Sequence, residues 1–98
     1  MYRQSAFKKY NRIKKKLPLP LRNQINFIED EIALNPYFSE RKKVDLKEVF
    51  VKKFPLLGEE YLLAYKVNKR EREVIFLAIG GHENFYRDLK RYLKSDQQ

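Results

Sequence analysis

The run Val74–Ile79, VIFLAI, constrains the fold of this chain more than any other segment. It is continuously apolar and rich in β-formers, the pattern of a central strand covered on both faces. The run stops at Gly80-Gly81, and His82 follows at once. Residues 83–94 then return to helical spacing through Phe85, Leu89, Tyr92 and Leu93. A strand-to-helix corner is therefore expected at the glycine pair.

The rest of the chain supplies the layers around that strand. Ala6, Tyr10, Ile13 and Leu17 make one helical stripe and predict a helix over 5–17. Leu17-Pro18-Leu19-Pro20 breaks it, because proline forbids continuation and restricts the residue before it. Leu21, Ile25, Ile28 and Ile32 predict a second helix over 20–34, ended by Asn35-Pro36. The short connection makes an antiparallel helical hairpin. Val49–Phe54 reads as a strand closed by Pro55, and Tyr61–Val67 as a second. The polar turn Asn68–Arg72 then joins Tyr61–Val67 to Val74–Ile79 in a β-hairpin. Met1–Gln4 is a candidate edge strand, and residues 95–98 are expected to fray. The fold class is α+β: an N-terminal αα-hairpin packed on a small twisted antiparallel sheet, with a C-terminal helix. At 98 residues a single domain spanning 1–98 is expected.

Charge narrows the partners. The net charge is +9, and residues 1–22 hold eight Lys and Arg without a carboxylate. Nucleic acid or an acidic protein is the natural counterpart. No apolar run has the length of a membrane span, so a cytoplasmic location and no membrane partner are expected. There is no cysteine and one histidine, which excludes thiolate metal sites and argues against zinc; no cofactor is expected.

His82 is the residue most open to chemistry. Near a helix start it would lie beside backbone N–H groups that favour an anion such as phosphate, and the glycines would let a ligand approach closely. The alternative is that His82 caps the helix and the glycines serve the turn. Tyr86, at i+4, would face the same cleft and stack on a base or bind a phosphate, or else pack at the margin of the helix. Lys52 and Lys53 are neighbours on one strand and face opposite sides. Lys66 shares a face with Leu62 and Ala64, which hints that this face opens to a polyanion. Lys43, Lys47, Lys52 and Arg87 are candidates for RNA contact. The basic first helix, with Lys8, Lys9, Arg12 and Lys14–Lys16, binds phosphates, or acidic side chains, or only water.

The element order and the phrase LLAYKVNKREREVIFLAIGGHENFY resemble the RelE/ParE toxin superfamily of type II toxin–antitoxin systems. Gly81–Tyr86 is most similar to the YafQ-type branch, in which a histidine four residues before an aromatic belongs to a ribonuclease site. The resemblance implies that His82 and Tyr86 are catalytic, with Lys53 and Lys66 supplying positive charge. It implies a metal-independent, ribosome-dependent mRNA interferase that is a monomer or dimer when free and is neutralised by a small acidic antitoxin. The alternatives within the superfamily are a ParE-like inhibitor of DNA gyrase and a degenerate toxin that only binds its antitoxin. RelE-type members carry an arginine just after the tyrosine of the central strand; here Leu62 follows Tyr61.

Overall fold

A computed structural model describes residues 1–44 and 47–95. Strand β1 (Arg3–Ala6) is followed by helices α1 (Lys8–Lys15) and α2 (Leu19–Leu34) and a 3-10 turn at Pro36–Phe38. Strands β2 (Glu40–Val44), β3 (Lys47–Leu56), β4 (Glu59–Asn68) and β5 (Glu73–Gly81) come next, and α3 (Phe85–Ser95) ends the described chain. The strands form one sheet in the order β1-β5-β4-β3-β2. Strands β2 to β5 pair antiparallel, whereas β1 pairs parallel with β5, so the sheet is mixed. The expected fraying of residues 96–98 lies outside the described residues.

The helical hairpin covers one face. Ile25 and Ile32 are buried and Leu21 and Ile28 pack beside them, so the α2 stripe does what its spacing predicts. Beneath lies an aromatic row. Tyr10 stacks on Phe76 at 5.5 Å, Phe76 meets Tyr65 edge-on at 6.4 Å, and Tyr65 stacks on Phe50 at 5.4 Å. Such pairs add to area burial through ring quadrupoles. The Tyr10 hydroxyl donates to Glu29 at 2.7 Å, and Lys14 reaches the same carboxylate at 2.8 Å. Glu29 is thus a buried carboxylate on α2 satisfied by two groups from α1, which pins the helices together. The opposite face is partly covered by α3, whose Phe85, Leu89 and Leu93 pack on Val44, Val49, Val51, Leu62, Ala64 and Leu77.

Several boundaries differ from expectation for identifiable reasons. The first helix begins at Lys8 because Ser5 and Ala6 pair with Ile75 and Phe76. Strand β2, ERKKV, was not foreseen, since its single apolar residue gives no alternation. It is an edge strand, paired with β3 and exposed along much of its length apart from Val44 under α3, and charged side chains suit such an edge. Pro55 does not close β3 but pairs with Glu60. The β2 ladder ends at Glu40↔Val51, so no neighbour loses a bond to the missing N–H on that side. The β3–β4 hairpin turns on Leu57 and Gly58, with φ of 55° and 76°. Positive φ at both central residues is the type I′ geometry that matches strand twist. In β5, Leu77 has no partner in the β4 register, a bulge that keeps both Phe76 and Ile79 on the hairpin face.

Burial and the Glu29 carboxylate hold the Tyr10 phenol far above its ordinary value of 10.0, and burial raises Tyr65 as well. The folded phenols therefore resist ionisation while the unfolded ones do not. Stability is then full below pH 10 and falls as pH rises beyond it. Urea unfolding across pH 8 to 11 is expected to show this decline, with a shallower slope for Tyr10→Phe. At neutral pH, Tyr10→Phe is expected to cost about 1–3 kcal/mol, since Glu29 loses a buried donor.

Candidate active site

Helix α3 crosses the sheet without covering all of it. Between its first turns and strand β2 lies an open groove of about 570 Å³, lined by Lys42, Lys43, Val44, Tyr86, Arg87 and Lys90. Cations dominate this lining. The Tyr86 ring meets Phe85 edge-on at 5.4 Å and packs against the α3-side core. Its hydroxyl is shielded from solvent yet has no hydrogen-bond partner among the described residues. A shielded hydroxyl without a partner on a half-buried tyrosine is an uncommon arrangement.

Register brings Glu40 into this neighbourhood. Glu40 pairs with Val51, and Lys53 lies two residues further along β3, so they share the α3 face of the sheet. Lys42 contacts the Glu40 carboxylate at 2.9 Å and Lys53 contacts it at 3.8 Å. The hydrogen bond and charge of Lys42, then Lys53, hold the Glu40 carboxyl below the usual range. In return Glu40, and after it Tyr86, raises the Lys42 ammonium. One carboxylate thus bridges the two lysines. Sequence reading missed Glu40 and Lys42, because a short charged strand shows no periodicity to mark it.

The structure distributes the expected residues as follows. Tyr86, Lys43 and Arg87 line the groove, and Lys53 joins it through Glu40. Lys47 pairs with Val44 and so lies on the same face. Lys52 faces the helical hairpin, since its partner Leu63 belongs to that core. Lys66 does share the α3 face, but it lies four positions along β4 from Leu62, the partner of Lys53. That is roughly 13 Å at strand rise. Its ammonium sits 5.6 Å from the Phe7 ring centre instead. The structure therefore parts Lys66 from Lys53. Leu62, which follows Tyr61, is fully buried against α3 and offers no charge.

His82 lies in the bend after β5, exposed, and three residues ahead of the first helical residue. Asn84 adopts a φ of 62°, so residues 82–86 are not one helical turn and the expected i, i+4 relation does not hold. The imidazole neither caps α3 nor bonds another side chain among the described residues; only its carbonyl accepts, from Phe85 N–H at 3.4 Å. Neither Gly80 nor Gly81 has positive φ, so the turn does not require glycine. A Cβ at Gly81 would meet nothing within 4 Å. The pair therefore leaves bare backbone beside the imidazole rather than relieving strain.

The class that fold and site define is a small basic α+β protein with a helical hairpin on one sheet face and a cationic groove on the other. A family model described as "ParE-like toxin of type II bacterial toxin-antitoxin system" matches residues 2–90. The chain belongs to this family and is a toxin of a type II toxin–antitoxin system. Among solved structures, a double arginine-to-alanine mutant of E. coli RelE in the free state is similar at TM-score 0.75 and 18% identity. That match covers 99% of this chain and 98% of the other. The E. coli RelBE complex matches at TM-score 0.67 and 21% identity, over 85% of this chain and 99% of that one. The archaeal RelE–RelB complex of Pyrococcus horikoshii OT3 matches at TM-score 0.56 and 20% identity, over 84% and 96%. At such identities the likeness is one of fold. No curated protein sequence matches the chain.

Replacing Glu40 by Gln removes the negative charge between Lys42 and Lys53. Because the pair is exposed, the melting temperature is expected to stay unchanged. Affinity for an RNA oligonucleotide is expected to rise, with a steeper salt dependence. Titration by fluorescence anisotropy at several salt concentrations reads both effects.

Proposed function

We propose that this toxin is a metal-independent endoribonuclease that cleaves mRNA and so arrests translation. One observation carries this reading: an unpartnered phenol shares one groove with four cations on a RelE-like sheet, and one of them, Lys42, is linked through Glu40 to Lys53. The ribose 2′-oxygen attacks the adjacent phosphorus while the bond to the 5′-oxygen breaks, giving a 2′,3′-cyclic phosphate and a 5′-hydroxyl. One proton leaves the 2′-hydroxyl and one is delivered to the departing oxygen. His82, as acid or base, serves one of these transfers, worth typically 10²–10⁴-fold. Lys53 and Lys42 stabilise the charge on the pentavalent phosphate. Tyr86 holds the nucleotide through its free hydroxyl or its ring. Glu40 is a poor base because its carboxyl is held low, so its part is to position the two lysines.

A lone histidine leaves the second proton transfer weakly served. Slow cleavage of free RNA and faster cleavage on the ribosome follow from that gap. The E. coli and archaeal complexes pair a RelE toxin with RelB. By analogy the partner here is a small acidic antitoxin, suited to the net charge of +9. The location proposed is the cytoplasm, and among the described residues no helix is long and apolar enough to cross a membrane.

The family description itself favours a second reading, a ParE-like inhibitor of DNA gyrase. Expression of wild type, His82→Ala and Tyr86→Phe, with mRNA ends mapped during growth arrest, separates the two. Cleaved mRNA is expected for wild type, with about a hundredfold or greater loss for His82→Ala. Intact mRNA during arrest, with gyrase supercoiling blocked, would replace the first reading by the second. Undiminished cleavage in His82→Ala would remove the histidine from the mechanism.

A further inference from the structure

The face opposite the groove carries a second ordered row of rings and cations. Arg72 lies 4.7 Å from the centre of the Tyr2 ring, which meets Tyr37 edge-on at 6.4 Å. Tyr37 meets Phe50 edge-on at 5.8 Å, and Arg41 lies 5.3 Å from the Phe50 ring centre. The row emerges from the core, because Phe50 also stacks on buried Tyr65. Arg41 and Arg72 are exposed, and Tyr37 is 42% exposed.

Each member is fixed by bonds of its own. Tyr2 N–H donates to the Ala33 carbonyl at 2.9 Å, and the Arg72 carbonyl accepts from Arg3 N–H at 2.9 Å. Tyr37 follows Pro36, whose carbonyl accepts from the Tyr65 hydroxyl at 2.6 Å. Arg41 is held in the β2 ladder opposite Phe50. Nearby Glu71 is engaged by Arg3 at 3.6 Å, and Glu48 lies two residues from Phe50 on β3.

We propose that the row Arg72–Tyr2–Tyr37–Phe50–Arg41 is a binding surface for single-stranded RNA, with unpaired bases stacking on Tyr37 and the arginines. Stacking on aromatic rings and guanidinium planes is how proteins hold unpaired bases. An acidic peptide would use the charge and leave the rings idle. Lysine outnumbers arginine in this chain, yet both cations of the row are the planar kind that stacks. The surface also has a route to the groove. Arg41 and Lys42 are neighbours on edge strand β2 and face opposite sides of the sheet. One RNA strand crossing that edge touches both surfaces. Binding at the row does not depend on cleavage.

The test uses a 12-nucleotide 2′-O-methyl RNA, which cannot be cleaved through its 2′-oxygen, and an abasic strand of equal charge. Anisotropy titration is expected to show Tyr37→Ala and Arg41→Gln/Arg72→Gln weakening the RNA about tenfold, a single stacked base's contribution. The abasic strand should be unaffected by Tyr37→Ala, and Tyr37→Phe should bind RNA as wild type does. Lys15→Gln, a charge control on α1, should weaken both strands slightly and equally. Should Tyr37→Ala lower the melting temperature, the surface variant Arg41→Gln decides alone. Wild-type RNA affinity in Tyr37→Ala, or equal losses on both strands in the arginine variants, would overturn the proposal. So would loss of binding to a glutamate-rich peptide with RNA binding intact.

Discussion

The stacked row Tyr10–Phe76–Tyr65–Phe50 is the contact on which the rest of the molecule depends. It ties α1 to β5, β4 and β3 in one line of rings. Its inner end is fixed by Tyr10 and Lys14 on the buried Glu29 carboxylate. Its middle holds the 3-10 turn after α2, through Tyr65 and the Pro36 carbonyl. A sheet this small cannot bury enough surface by itself, so a rigid aromatic layer under the helical hairpin is what keeps its strands in place. The opposite face is then free to be only partly covered by α3.

That partial cover creates the groove. Helix α3 buries Phe85, Leu89 and Leu93 against a core that reaches Val44 on β2, and leaves the lysines of that strand beside its first turns. Position on the shared face keeps the cations apart from the apolar core: Val44, Val49 and Val51 point under the helix, and Lys42 and Lys53 lie on the same face further out. Glu40 moderates their repulsion without burying any of them.

The amphipathic elements were legible in the sequence because burial imposes a period. The α2 stripe, strand β4, strand β5 and the α3 stripe all appeared where their apolar spacing placed them. Strand β2 did not, because an edge strand in water needs no apolar face. The reach of β3 through Pro55 was hidden for a related reason: the rule that proline ends a strand fails where no neighbour is present to be bonded. At the site, Tyr86, Lys53, Lys43 and Arg87 were named from residue type and position. Glu40 and Lys42 were not, since their meaning depends on a cross-strand register that no local pattern encodes. Lys66 was placed on the correct face but far from Lys53 along the strand, because alternation gives the side of a sheet and not the distance along it.

The sequence by itself determined the class of fold, the basic character and the corner where β5 meets α3, because hydrophobic period and charge act locally. Only the tertiary structure decided which cations share a groove, that β1 joins the sheet in parallel, and that the His82 imidazole bonds no other side chain among the described residues. Those outcomes rest on strand register and on where α3 ends its cover, which are set by packing among residues far apart in the chain. The physical reason is one of range: propensity and periodicity reach a few residues, whereas a site is assembled by the long-range contacts that close the core.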